Sequence, residues 1–571
     1  MVTMGNKVSK PKTKQHSYIS LAVFLLILLL VNFSSRLFFK RFDLTTDNRY
    51  SLNDFTKNQL ENLEDVIFLR VYLEGDLPAE FKQLQNSTKE ILDEMRVYAG
   101  SNLQYEFINP SENPDKKVRQ SVYRELSKKG LQYSNLTTRE GDKMSEQIVF
   151  PGAILAYREK EYPIQLLKNT MGTSPEVMMN NSIQQLEYEI SSVIKKVTTN
   201  LPKKIAFITG HGEANSIEVQ SICKSIGEFY QYDRIEINGK LDALNNFSAA
   251  LIVGPDSSYS EKDKYILDQF IMNGGKTMWF IEHTEVNTDS LRKNAITLGL
   301  EKDINLNDQL FKYGARVNSN LIMDIQSLPI PVVTGMSGDQ PKQELFPWYY
   351  FPLIFSSVKH PITNNLDAIS TKYVGTIDTV GAKNIKKTPL LFSSDYSKLV
   401  NVPTRVSLNI LRDPPNEKRF NKGPQILAVL LEGEFESNFK NRISSKISDN
   451  IDFKFQEKSA KNKMIVISDA DIIQNEVTPD GKQFLELGYY RFTKRMYGNK
   501  DFILNSLSYL LEDDGLILSR VKEFKLRLLN KQTVLKERRK WQIFNTALPI
   551  IFVILIGLFI GLSRRKKYSS H

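Results

Sequence analysis

"KKIAFITGHGEANSIEVQSICKSIGEFY" (residues 203–230) starts as a buried-type apolar run, turns on two glycines around His211, and continues as a helical pattern expected over 216–230. The unit then recurs. "AALIVGPD" (249–256) leads into "SEKDKYILDQFIMNGG" (260–275), and "KTMWFIEH" (276–283) follows. Continuous apolar runs alternating with helices imply an open, mostly parallel sheet covered on both faces. Ser260 and Asp263 have capping-box spacing with Asp in place of Glu, and Gly274–Gly275 stop that helix.

In such a sheet, ligands bind beyond the carboxyl ends of the strands, where helix N-termini supply backbone donors. That edge is expected to carry Thr209, Gly210, His211, Gly212 and Glu213, then Asp256, then Glu282 and His283. Two imidazoles and three carboxylates there make a candidate ligand-facing cleft. The plainer reading gives Gly210 and Gly212 an unusual backbone turn that His211 and Glu213 cap. No H-E-x-x-H spacing is present, so neither a metal nor a catalytic residue is assigned, and no cofactor is expected. The competing reading is a membrane-anchored hydrolase-like enzyme using His211 with Glu213 or Glu282.

Other chemistry-bearing residues read as structural. Cys223 shares a helical stripe with Val219, Ile222, Ile226 and Phe229, and no G-x-S-x-G or G-x-C-x-G elbow exists. Asp469 and Asp471 in "VISDADII" (466–473) are too few for a dedicated Mg²⁺ or Ca²⁺ site and read as turn caps. The aromatic run in "PWYYFPLI" (347–354) reads as a bend locked into a core rather than a sugar or peptide platform.

Working outward, the 571-residue chain has a formal net charge of +11, and eight of those charges lie in the first 17 and last nine residues. Both tails border apolar stretches, "YISLAVFLLILLLVNFSSRLFF" (18–39) and "FNTALPIIFVILIGLFIGL" (544–562). Each approaches the ~20 residues that cross a hydrocarbon core. The basicity therefore points to a lipid bilayer and not to nucleic acid. Two crossings put both tails on one side, and the lysines before the first span weakly favour the cytoplasm. A single cysteine excludes an intramolecular disulfide framework. No G-x-x-x-x-G-K-[ST] loop is present, so any ATP-driven work needs another subunit.

The expected organisation is a basic tail (1–17), a transmembrane helix (18–39), a small N-terminal α/β domain (40–175) and the parallel-sheet domain (176–315). A β-rich irregular region (316–425) follows, then returning strands and a helix that complete the α/β body (426–515). A basic juxtamembrane helix (516–543), a second transmembrane helix (544–562) and a basic tail (563–571) end the chain. Within the sheet domain, Ile183, Leu186, Ile190, Val193, Ile194 and Val197 stripe one helix over 181–197, with Asn181 as its expected cap.

The order and spacing of "RFDLTTDNRYSL", "VYLEGDLPAEF", "LEYEISSVIKKV", "ITGHGEAN", "PWYYFPLI", "VISDADII" and "YGNKDFILNSLSYLLEDDGLI" carry a resemblance over nearly the whole chain. It resembles the GldG family, gliding-motility-associated ABC-transporter auxiliary proteins of Bacteroidota, within the wider ABC-transporter auxiliary group. The 203–283 block is also similar to the class I glutamine-amidotransferase-like fold in a form lacking the nucleophile elbow. The resemblance implies an inner-membrane, substrate-binding-type subunit partnered by an ABC permease and a separate ATPase. The bulk of the chain would be extracytoplasmic, facing a solute or envelope partner. It implies no catalytic residue.

Overall fold

The computed structural model describes residues 18–19, 21–28, 51–140, 143–168, 174–199, 202–337, 340–356, 359–412, 415–442, 455–478, 480–511, 515–516 and 531–568. The chain divides into two units, Met1–Lys522 and Glu523–His571.

In the first unit, Asn53 accepts from the Phe55 amide and caps α1 (Asp54–Glu61). β1 (Ile67–Val71) alternates buried and half-buried side chains, and α2 (Ala79–Ala99) begins just after Pro78, as its sequence predicts. β2 (Leu103–Phe107), α3 (Lys116–Lys128), the hairpin of β3 (Ser134–Glu140) and β4 (Lys143–Val149), β5 (Gly152–Tyr157) and β6 (Lys160–Gln165) follow. β1, β2, β5 and β6 build a four-stranded sheet in the order β2-β1-β5-β6, with β1 and β2 parallel, while β3 and β4 pair only with each other. Next comes α4 (Pro175–Thr198), capped by the Ser174 hydroxyl, with Pro175 inside its first turn. The boundary expected at residue 176 assigns this helix to the following sheet. Its apolar stripe instead packs in the N-terminal core, where Leu186, Ile190 and Ile194 join Leu69, Leu92 and Leu155.

β7 (Lys204–Thr209), α5 (Gln220–Ile226), β8 (Gln231–Glu236), β9 (Ala249–Val253), α6 (Glu261–Met272) and β10 (Lys276–Phe280) supply the parallel units legible in the sequence. α5 is shorter than the 216–230 expected. Asn215 accepts from the Ile217 and Glu218 amides and closes a separate turn ahead of it. Ser260 caps α6 as its spacing predicts, accepting from the Asp263 amide at 3.1 Å.

The middle region is β-rich and irregular. In chain order come β11 (Thr284–Val286), α7 (Thr288–Asn294), β12 (Ile296–Glu301), α8 (Asn307–Tyr313), β13 (Ala315–Val317), β14 (Asn320–Asp324), β15 (Ser327–Ser337) and β16 (Gln340–Ile354). β17 (Ile369–Ser370), β18 (Ile377–Thr379), β19 (Ile385–Phe392), β20 (Ser397–Asn401) and β21 (Thr404–Ser407) complete it. β22 (Ile426–Glu436) and β23 (Lys458–Ile467) then return to the central sheet, and α9 (Asn499–Leu511) follows. The seven-stranded order is β19-β22-β23-β10-β9-β7-β8, with β23 parallel to β10 and β22 antiparallel to β23.

Alternate residues of these strands feed two cores. Phe207, Leu251, Phe280 and Ile467 pack with Ile222 of α5 and with Phe502 and Leu507 of α9. Ile208, Ile252, Trp279 and Val466 pack on the other face with Ile266, Leu267 and Ile271 of α6. Each such fully buried large side chain contributes about 1.5–3 kcal/mol relative to exposure. The sheet is therefore a stiff platform whose carboxyl edge is fixed in position.

The second unit contains α10 (Lys531–Tyr568), with Pro549 inside it. Its segment Lys536–Arg565 is long and apolar enough to cross a membrane. Thirty residues of helix reach ~45 Å, against ~30 Å of hydrocarbon. Large apolar side chains such as Phe552 and Phe559 are exposed along it. Most of the first expected span, 18–39, lies outside the described residues. Its residues 18–19 and 21–28 are helical, with Phe24 and Leu26 exposed.

Candidate ligand-facing edge of the central sheet

Beyond β7 the chain passes through positive φ at Gly210 (+114°) and Gly212 (+76°), conformations that favour glycine. A Cβ on Gly212 would lie 1.5 Å from an Asp256 carboxylate oxygen, so glycine also permits the close approach of the β9 turn. The His211 carbonyl accepts from the Asp256 and Ser257 amides, both at 3.0 Å, and stitches the two turns together.

The His211 side chain is 8% exposed and stacks on Tyr259, with ring centroids 3.7 Å apart. Its Nε2 lies 3.2 Å from Asp263 Oδ2, and its Nδ1 lies 3.4 Å from Glu213 Oε1, an ion-pair distance. Glu213 also accepts from the His211 amide at 2.7 Å and from the Tyr259 hydroxyl. Asp263 accepts from the Gly239 amide at 2.7 Å and the Ser260 hydroxyl at 2.8 Å. Burial works against a charged imidazole, but Glu213 and then Asp263 outweigh it and hold the ring above its ordinary pKa. A ring held with a carboxylate near each nitrogen, and stacked on Tyr259, is placed as a fastener between the two turns.

A second group forms where β10 and β23 end side by side, Phe280 being paired with Ile467. Glu282, Asp469 and Asp471 there offer oxygens that all lie within 4.8 Å of one another. Asp469 is fully buried and accepts from the Asp471 amide at 2.7 Å and the Lys372 amide at 3.0 Å. The Lys372 ammonium stands 3.4 Å from Asp471 and 3.8 Å from Glu476, and Lys302 stands 3.6 Å from Glu282. Burial, with the charge of Asp471 behind it, pushes the Glu282 and Asp469 carboxyls upward, Asp469 well above the usual range. Three carboxylates make a donor set that suits a hard divalent cation. Two lysines and three backbone amides already answer their charge here, so the group is complete as a polar network.

The eight residues expected at this edge fall into two separately bonded groups and one histidine outside both. Thr209 to Glu213 and Asp256 share the first turn system, and Glu282 belongs to the second group. His283 is buried, and neither ring nitrogen has a hydrogen-bond partner among the described residues. Burial pushes its imidazole down, toward the neutral form. No hydrogen bond or ion pair joins the two groups among the described residues. Sequence reading missed Tyr259, Lys302, Lys372 and Glu476, and it saw Asp263 only as a cap. Tyr259 and Asp263 follow β9 closely, so strand adjacency was the available signal. Lys372 comes from the irregular region and gave none.

The remaining motifs are core. Cys223 is buried, and burial pushes its thiol up to about 11. Trp348, Tyr349, Tyr350 and Phe351 are buried in β16, a strand and not the bend expected, with the Trp348 and Tyr350 rings 5.3 Å apart.

Comparison with known proteins adds the following. A family model described as ABC-type uncharacterized transport system matches residues 202–506. A second, described as a domain of unknown function (DUF7088), matches residues 46–156. No curated protein matches the chain. Similar solved structures include the mmIFT52 N-terminal domain, at 11% identity over 55% of this chain and 98% of that one, with a TM-score of 0.31. Another is a ThuA-like protein from Parabacteroides merdae, at 11% identity over 55% of this chain and 90% of that one, with a TM-score of 0.27. Scores this low carry no argument.

Proposed function

We propose, from the premise that this chain belongs to the ABC-transporter auxiliary family of ABC-type transport systems, that it is a non-enzymatic, membrane-tethered subunit of such a transporter. The observation that carries this reading is the family match joined, in one chain, to the apolar helix Lys536–Arg565. The sequence has no P-loop, so a separate ATPase supplies the energy and a polytopic permease is the membrane partner. The clamped His211 supports a role without catalysis. In its finer form, the reading places the chain in the gliding-motility branch found in Bacteroidota. Two spans would sit in the inner membrane with cytoplasmic termini, and an amidotransferase-like body would meet a solute or envelope partner outside.

The test is purification of the tagged full-length chain from its native membrane in mild detergent, followed by mass spectrometry. A permease and an ATPase should co-purify in fixed proportion. A clean monomer in several mild detergents would refute the reading.

A further inference from the structure

In the irregular region, strand ends and turns surround a recess of about 400 Å³. Gln326 comes from the β14–β15 turn and Phe355 from just after β16. Phe392, Asp395 and Tyr396 come from the end of β19 and the turn into β20, and Pro424 stands just ahead of β22. The volume falls within the ~300–1,000 Å³ of small-molecule sites.

The backbone of these walls is tied together. Asp324 is fully buried and accepts from the Gln326 amide at 2.8 Å, the Ser394 amide at 2.8 Å and the Ser394 hydroxyl at 2.6 Å. It thereby joins the β14–β15 turn to the β19–β20 turn. The Ser393 amide donates to the Gln425 carbonyl, and the Gln425 amide donates back to the Ser393 hydroxyl, both at 2.9 Å, which holds the Pro424 segment beside that turn. A recess fixed in this way has little freedom left to lose on binding.

The chemistry of the recess is one-sided. Asp395 is the one charged residue lining it, and its carboxylate has neither a hydrogen bond nor an ion pair among the described residues. Phe355, Phe392 and Tyr396 bring three aromatic rings, none paired with another ring or with a cation among the described residues. Phe355 is 46% and Tyr396 51% exposed, so their surface is open to a ligand. Aromatic faces attract cations, and an unpaired carboxylate adds to that attraction. An anion would meet repulsion from Asp395, while a neutral apolar guest would strip water from the carboxylate and return no partner. A cation with apolar surface satisfies both the charge and the rings.

We propose that this recess binds an organic cation of the alkylammonium type, its charge beside Asp395 and its methyl or methylene groups on Phe355, Phe392 and Tyr396. The site goes beyond the transport reading and does not depend on it.

The experiment uses the full chain in an uncharged polyoxyethylene detergent at constant ionic strength. Melting temperature is the readout, since a ligand of the folded state raises it by mass action. Choline probes for a free solute, and a blocked Gly-Lys-Gly peptide probes for the lysine side chain of a partner protein. Neohexyl alcohol, in which carbon replaces the choline nitrogen, keeps the shape without the charge, and glucose stands for a polyol. Choline or the peptide should raise the melting temperature saturably, and the lower half-saturation of the two identifies the source. The uncharged isostere should need about tenfold more or fail to saturate, and glucose should give no saturable rise. Asp395→Asn and Tyr396→Ala should each raise the half-saturation by about threefold or more, the loss of one exposed charge or ring contact. Either variant suffices should the other fail to fold. Equal responses to choline and its isostere, equal responses from wild type and a folded variant, a saturable response to glucose, or none to either cation would overturn the proposal.

Discussion

Replacing His211 with alanine separates a fastening role from a chemical one. The substitution removes the ring from between two carboxylates whose side chains are only 1% (Glu213) and 9% (Asp263) exposed. Breaking a buried pair on one side costs about 3–5 kcal/mol, and the stack on Tyr259 contributes about 0.5–1.5 kcal/mol more. Several partners remain. Glu213 keeps the residue 211 amide and the Tyr259 hydroxyl, and Asp263 keeps Ser260 and the Gly239 amide. The lower end of the range therefore applies, about 3.5 kcal/mol with the stack included, or a fall of roughly 3–8 °C in melting temperature for a cooperative unit of this size. Thermal melts of the full chain in one mild detergent measure it. Glu213→Gln or Asp263→Asn in the alanine background should restore part of the loss, since the remaining repulsion is relieved. The pH dependence has a definite sign. The folded ring titrates above its ordinary value of 6.5, so its contribution is complete below that pH and fades as pH rises through the raised folded value. The gap between wild type and variant should narrow accordingly in alkaline buffer. A variant that melts with wild type at neutral pH yet abolishes transporter function would refute the fastening argument and restore the hydrolase reading.

Gly212→Ala should cost about 1–3 kcal/mol, from a non-glycine residue at positive φ and displacement of the Asp256 side chain, and should lower the melting temperature by several degrees. Cys223 should resist iodoacetamide at pH 8 in the folded chain and react fully in guanidinium, as a buried thiol with its pKa near 11 requires; mass spectrometry counts the adduct.

Local signals carried the elements well. Pro78 marked the start of α2, Ser260 and Asp263 fixed α6, and the stripe at Leu186, Ile190 and Ile194 revealed α4. That helix nevertheless begins at Pro175, because Ser174 supplies the cap and Asn181 lies inside its second turn. Partnership between distant segments was illegible. Nothing in "VISDADII" says that β23 will lie beside β10, and only that neighbourhood brings Asp469 and Asp471 to Glu282. The turn-cap reading of Asp469 was physically sound, since it accepts from the Asp471 amide, but it described one of several bonds. For His211, the flanking glycines announced a turn, while its Asp263 partner required knowing which way α6 faces the sheet.

The strand order has a further consequence during synthesis. β10 ends at Phe280 and its parallel neighbour β23 ends at Ile467, so a ribosome must add ~190 residues before that side of β10 is covered. At ~5–20 residues per second the newborn half-sheet waits about 10–40 s with an open hydrogen-bonding flank, a template for intermolecular strand pairing. Chaperone demand should therefore peak while the irregular segment is emerging. A stop codon within it would leave the preceding strands aggregation-prone, without the segment that closes them.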